Sequence, residues 1–130
     1  MWEEIVDFFT VGLVGLFSWF IGDRNGYINV LLTLIVVDYI MGVAVGYVRH
    51  ELSSHKGFIG IAKKIFIICL VGVAHVFDEY IIGEPTFRTP LVLFYIANEG
   101  LSIIENADAL NIPIPKFLRK RFLTMKKRGH

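Results

Sequence analysis

Cysteine is almost absent from this chain of 130 residues, which contains a single one, Cys69. One cysteine cannot form an intramolecular disulfide or a CxxC motif, so a disulfide-stapled domain and a cysteine-based metal site are excluded. The chain also lacks a glycine-rich phosphate loop and a plausible Ser-His-Asp set. His50, Glu51 and His55 share one loop, but three such residues in a flexible segment are a weak metal site. We therefore expect no enzyme activity, no metal and no cofactor.

Basic residues are missing from the start of the chain, where no Lys or Arg precedes Arg24. The N-terminus is acidic, with Glu3 and Glu4, whereas a signal peptide begins with a basic region. A signal peptide is therefore not expected. Seven of the 13 Lys and Arg residues lie instead in the last 15 positions, namely Lys116, Arg119, Lys120, Arg121, Lys126, Lys127 and Arg128.

Strict alternation of apolar and polar residues is absent too, which argues against β-strands and against a membrane barrel. What the sequence contains is long apolar runs: 55% of its residues are hydrophobic, and the mean hydropathy is +0.60. At about 1.5 Å per residue, such runs reach the ~30 Å of a hydrocarbon core. We predict an all-α fold, an integral membrane helical bundle with three to four transmembrane helices and a short basic cytoplasmic tail. The expected elements of this single domain (1–130) are the apolar segments 1–22, 27–48, 58–82 and 87–104, and the tail 112–130.

The charges of the loops predict how the segments are oriented. The loop after the second segment carries Arg49 and Lys56, and Lys63 and Lys64 follow closely, whereas the loop 83–86 carries no basic residue. By the positive-inside rule the first loop and the tail face the cytoplasm. The first segment, which ends in a turn at 22–26, leaves two alternatives. It forms a fourth span with the N-terminus inside, or a membrane-associated helix beside three spans with the N-terminus outside, which its acidic start favours.

Asp38 lies inside the second apolar segment, about 15 Å from its cytoplasmic end and so close to the membrane midplane. A carboxylate at that depth is costly and needs a partner or a function. Gly42 and Gly46 follow at intervals of four residues, so all three share one helical face. The GxxxG spacing of the two glycines permits close approach of another helix.

Further polar residues lie at matching depths in the other segments. Lys63 and Lys64 are near the cytoplasmic end of the third segment, and Asn98 and Glu99 occupy a similar depth in the fourth. We expect a cluster of Asp38, Lys63 or Lys64, Asn98 and Glu99. This cluster either fixes helix register and subunit pairing, or lines a water-filled lesion once subunits assemble. Three polar residues near the outer end of the third segment are expected only at the membrane interface: His75, Asp78 and Glu79.

The basic tail mixes its cations with apolar residues such as Phe117, Leu118 and Phe122. This pattern suits binding to the anionic inner leaflet, and it also suits a simple topology signal; the two interpretations are compatible. Because the chain is so apolar, lipid is a better anionic partner than nucleic acid.

Several residue strings occur in an order that resembles the toxin secretion/phage lysis holin family. They include VDYIMG at 37–42, Ser53-Ser54, FYIANEGLSIIEN at 94–106 and IPIPK at 112–116. The likeness covers roughly residues 27–122. The motif positions that it carries onto this chain are Asp38, Gly42, Ser53, Ser54, Gly57, Gly60, Lys63, Glu99, Ser102, Glu105, Asn106, Pro113 and Pro115.

The resemblance implies a protein that accumulates in the bacterial cytoplasmic membrane, forms homo-oligomers and opens a lesion. An endolysin or a toxin would pass through this lesion without stable binding, and no cofactor or catalysis is required. The alternatives are an antiholin that controls the timing of lysis, for which a true holin would be the partner, and a small membrane channel.

Overall fold

The structure, a computed structural model, describes residues 1–22 and 26–128 and contains no β-strand among them. Within these residues it forms five α-helices: α1 (Trp2–Ile21), α2 (Gly26–Val48), α3 (Ser54–Phe77), α4 (Arg88–Ala109) and α5 (Lys116–Arg128). A π-helical segment, Asp78–Ile82, continues α3. The predicted all-α class is therefore confirmed. Most of the predicted turn at 22–26, residues 23–25, lies outside the described residues.

The ends of α3 and α4 follow from local sequence signals. α3 begins four residues earlier than expected, because the Ser53 side chain accepts a hydrogen bond from the Lys56 N–H at 3.1 Å and caps the helix. The π-helical continuation of α3 ends at Gly83, whose φ of 87° is a left-handed value that glycine adopts without strain. α4 ends at Ala109, and Pro113 and Pro115 then prevent the helix from continuing.

α4 is the central helix of the bundle. Its residues Val92, Ile96 and Ile104 are buried at helical spacing, and Val92 and Ile96 pack beside the buried residues of α2 and α3. α2 contributes Ile28, Leu31 and Ile35 to the same core, and α3 contributes Val71. This packing aligns α2 and α4 along most of their lengths, and it places the polar residues of α4 between helices.

Among the described residues, three helices are long and apolar enough to cross a membrane: Trp2–Ile21, Gly26–Val48 and Ser54–Ile82. Three spans agree with the predicted number. The set of helices differs, however, from the favoured alternative, in which the first segment was membrane-associated and the fourth segment was a span. α1 is among the three, whereas α4 is not. The difference has a physical cause, because α4 carries several polar residues that packed neighbours shield from lipid. The membrane depth of α4 and the side of the N-terminus stay predictions.

α1 contacts the bundle only near its C-terminal end. Residues 1–17 are all exposed, whereas Ile21 is 1% exposed. The Phe20 ring lies where a side chain on Gly72 of α3 would stand, and His75 packs in the same way against Gly22. The remaining apolar surface of α1 has no cover from the described part of the chain.

α5 folds back along α4, although the sequence predicted only a basic tail. Arg119 forms an ion pair with Asp108 near the turn between the two helices. Farther along, the Phe122 ring lies against Gly100. Met125 then packs against the main hydrophobic core. Successive residues of α5 thus contact successively earlier parts of α4 or the core, so α4 and α5 form an antiparallel hairpin.

Candidate functional site: a buried charge cluster beside a glycine-lined cavity

Lys64 joins three helices through two ion pairs. Its Nζ donates to Asp38 Oδ2 of α2 at 2.5 Å and to Glu99 Oε2 of α4 at 2.6 Å. The two acidic residues are almost completely buried, with 5% of Asp38 and 3% of Glu99 exposed. We call these three residues the charge cluster. The sequence left Lys63 and Lys64 as alternatives; the structure places Lys64 in the cluster, and Lys63 is exposed.

An amide side chain completes the cluster, but it is not the one expected. Asn106 donates its Nδ2 to Asp38 Oδ1 at 3.0 Å. Asn98, by contrast, makes no hydrogen bond with the cluster within the described residues. Helical spacing explains why Asn106 and not Asn98 joins the cluster. Asn106 lies seven residues after Glu99, almost two full turns, and so on the same face, whereas Asn98 is about 100° around the helix from Glu99. The interval of seven residues was the sequence signal that could have identified Asn106.

The cluster contains two carboxylates and one ammonium group, all drawn from different helices. Isolated ions inside a membrane are very costly, and mutual pairing greatly reduces that cost. Loss of one partner from a buried pair typically costs about 3–5 kcal/mol, because an uncompensated charge remains. The two ion pairs thus link α2, α3 and α4, and the expected role of the cluster in fixing helix register stays a prediction.

A cavity of about 390 Å³ adjoins the charge cluster between α2 and α3. Gly42 and Gly46 of α2 line it, as do Gly57 and Gly60 of α3. Nothing in the structure lies within 4 Å of a side chain placed on Gly42, and Gly46 meets only Leu52 of the following loop. The GxxxG element therefore packs against no other helix in the described part of the chain, and its expected role in assembly stays a prediction.

The other motif positions lie in distinct local settings. Gly57 and Gly60 face the Tyr39 side chain: the first carbon of a side chain would lie 3.5 Å from the hydroxyl oxygen at Gly57 and 3.5 Å from the ring at Gly60. Ser53 caps α3, and Ser54 is its first residue. Ser102 lines the cavity, and Glu105 is exposed. Pro113 and Pro115 are exposed in the segment between α4 and α5. Their roles in function stay predictions.

Asp78 has a structural part that the sequence did not reveal. It is 5% exposed, and its carboxylate accepts hydrogen bonds from the N–H groups of Phe87, at 2.8 and 3.1 Å, and Arg88, at 2.9 Å. These are the backbone donors at the start of α4, which have no partner inside the helix. Asp78 therefore caps α4 across the loop that follows the π-helical segment, rather than lying free at the interface. Because Asp78 precedes Phe87 by nine residues, no local capping pattern in the sequence identified it.

All seven basic residues of the predicted tail lie within α5: Lys116, Arg119, Lys120, Arg121, Lys126, Lys127 and Arg128. Arg119 pairs with Asp108, and both side chains are about half exposed. Their expected contacts with lipid stay predictions. Within the described residues, no group of three or more His, Cys, Asp or Glu side chains could hold a metal ion.

Several known proteins are similar in sequence to this chain. A protein of Clostridium perfringens is 42% identical over 122 residues, which cover 91% of this chain and 90% of that protein. A protein of Listeria monocytogenes is 38% identical, with 93% of this chain and 86% of that protein covered. A protein named a probable holin, from Bacillus phage phi105, is 38% identical over 73% of this chain and 70% of its own length. No solved structure is significantly similar.

The profile of the bacteriophage holin family matches residues 15–127, which include the charge cluster, the cavity and most of α5. The predicted resemblance is thereby confirmed. Family membership and the apolar helices α1, α2 and α3 both support a membrane-embedded protein. This chain belongs to the bacteriophage holin family.

Proposed function

We propose that this protein is a holin, which assembles in the bacterial cytoplasmic membrane and opens a lesion that releases an endolysin or a toxin. Family membership and the similarity to the probable holin of phage phi105 support this role. The structural observation that carries it is the exposed apolar surface of α1, whose residues 2–17 are all exposed in the described bundle. No catalytic step is needed for this function.

Helix α1 is suited to join one copy of the chain to another. Many of its residues are large and apolar, and Trp2, Phe8 and Phe9 are each more than half exposed, at 76%, 75% and 62%. Lipid covers such a surface in a monomer. At high density in the membrane, packing against a second copy is an alternative cover, since helix association in lipid depends on van der Waals contact. The homo-oligomer is thus the proposed active state.

The charge cluster keeps each subunit intact during this assembly. Asp38, Lys64 and Glu99 bind α2, α3 and α4 into one unit, so that α1 and the outer faces remain available for contact with other copies. In the proposed orientation before assembly, the loop between α2 and α3 and the C-terminal region are cytoplasmic, as their basic residues indicate.

Expression in a bacterium tests the proposed function. We expect membrane potential to collapse suddenly once a threshold amount accumulates, and a co-expressed endolysin then to lyse the cells. Sustained expression with normal potential and a trapped endolysin would exclude the holin. Harmless expression that delays lysis by another holin would identify an antiholin, and ion leakage without endolysin release would identify a channel.

The Asp38→Asn variant, compared with wild type, separates two roles of the cluster. If the cluster only holds helices together, assembly weakens because Lys64 loses a charged partner. If it lines the lesion, oligomers persist while permeability changes. Cross-linking in membranes measures the first property, and dye uptake measures the second. Unaltered assembly together with unaltered permeability would exclude both roles.

A further inference from the structure

α5 docks beside the charge cluster, at the level of the middle of α2. Its Phe122 ring contacts the position of Gly100, the residue that follows Glu99 of the charge cluster. Glu99 shares Lys64 with Asp38, and Asp38 is about 15 Å from the cytoplasmic end of α2. Phe122 is therefore near the membrane midplane if α2 spans the bilayer. The six residues that follow Phe122 extend α5 by a further ~9 Å.

The cations of α5 cannot be accommodated by the hydrocarbon at this depth. Lys and Arg are among the most costly residues at the centre of a bilayer. A lysine side chain is too short to place its ammonium group at the membrane surface from that depth. The docked position of α5 thus requires water beside it. A monomer surrounded by lipid offers no water at the midplane, whereas a lesion does.

The two faces of α5 match this requirement. Phe122 and Met125 face the bundle and are partly buried. Lys120, Thr124 and Lys127 occupy the opposite side of the helix and are exposed. In the described part of the chain, the exposed faces of α1, α2 and α3 at membrane depth are predominantly apolar. α5 is thus the helix best suited to face water inside a membrane.

We propose that α5, docked against α4, forms the water-facing wall of the assembled lesion, with Lys120 and Lys127 directed into the lumen. This inference rests on the proposed holin function and specifies which helix surrounds the opening. Before assembly, α5 lies undocked on the anionic cytoplasmic leaflet, and the segment 110–115 between α4 and α5 is the hinge. Assembly supplies the water that the docked helix needs.

Ion selectivity of the lesion tests the proposal. The purified protein is reconstituted in planar bilayers, and the chloride-to-potassium permeability ratio is measured in about 10 mM salt, where charges act over ~30 Å. We expect a ratio above 1 for wild type, because cations line the lumen. In the Lys120→Glu/Lys127→Glu variant we expect the ratio to fall below 1.

A matched control changes the same amount of charge elsewhere. Arg49→Glu/Lys56→Glu, the loop variant, alters two exposed residues at the ends of the connection between α2 and α3: Arg49 directly follows α2, and Lys56 lies in the first turn of α3. Its ratio should stay above 1. Lys120→Gln/Lys127→Gln removes the charge without reversal, and it should give an intermediate ratio even if the reversed variant fails to assemble. Conducting lesions whose ratio is the same in wild type and in both α5 variants would overturn the proposal alone, as would reversal by the loop variant. Wild-type protein that never conducts would overturn the holin function, and this proposal with it.

Discussion

Replacement of Lys64 by methionine should destabilise the bundle strongly, although methionine is the more apolar residue. Lys64→Met removes two ion pairs, at 2.5 and 2.6 Å, and leaves the carboxylates of Asp38 and Glu99 buried side by side. Two hydrogen bonds between membrane helices are worth only ~1 kcal/mol together. The uncompensated charge increases the loss of stability further. Removal of one partner from a buried ion pair typically lowers the free energy of unfolding by about 3–5 kcal/mol in total. We expect a loss near the lower end of that range, about 3 kcal/mol, because 19% of the Lys64 side chain is exposed and water still reaches it.

The free energy of unfolding of the variant is obtained by titration of helical content with sodium dodecyl sulfate, in mixed micelles and against wild type. Lys63→Met is the matched control, since Lys63 is adjacent in α3, exposed, and forms no ion pair within the described residues. It should lose less than about 0.5 kcal/mol. The triple variant Asp38→Asn/Lys64→Met/Glu99→Gln should recover part of the loss, because no charge remains. Equal stability of the Lys63 and Lys64 variants would refute the reasoning.

Two further predictions concern α4. Asp78→Ala should lower stability by about 1–2 kcal/mol, measured in the same titration, because the N–H groups of Phe87 and Arg88 lose their acceptor; a neutral result would mean that water replaces the cap. Gly100→Val should insert normally but delay the loss of membrane potential in expressing cells, because even the first carbon of the new side chain would lie 2.6 Å from the Phe122 ring and prevent α5 from docking. The double variant Gly100→Val/Phe122→Ala should restore the timing, and unchanged timing in the single variant would show that docking has no part in it.

Hydropathy alone predicted the helices α1 to α4 well, because long apolar runs leave few alternatives to a membrane helix. The expected segment 27–48 corresponds to α2, Gly26–Val48, and Pro113 with Pro115 marked the end of α4 to within a few residues. Hydropathy did not reveal that α4 is the centre of the bundle. Its Glu99 and Asn106 lower its apolar character, and only packing against α2 and α3 makes their burial possible.

The charge cluster could be predicted in composition but not in detail. Asp38 and Glu99 stand out because carboxylates are rare inside apolar runs. Lys63 and Lys64 are adjacent, so depth cannot distinguish them, and the packing angle of α3 decides which one points inward. The docking of α5 was not predicted either. Its many cations dominate the sequence pattern, whereas the contact depends on Phe122 and on the absence of a side chain at Gly100.

Release of a folded protein from sealed vesicles tests the central claim most directly. The purified chain is added at increasing density to anionic vesicles that contain both a small dye and a fluorescent globular protein. The holin account predicts that, above a threshold density, individual vesicles lose both contents together in an all-or-none manner. Loss of the dye with full retention of the protein at every density, or retention of both, would contradict it.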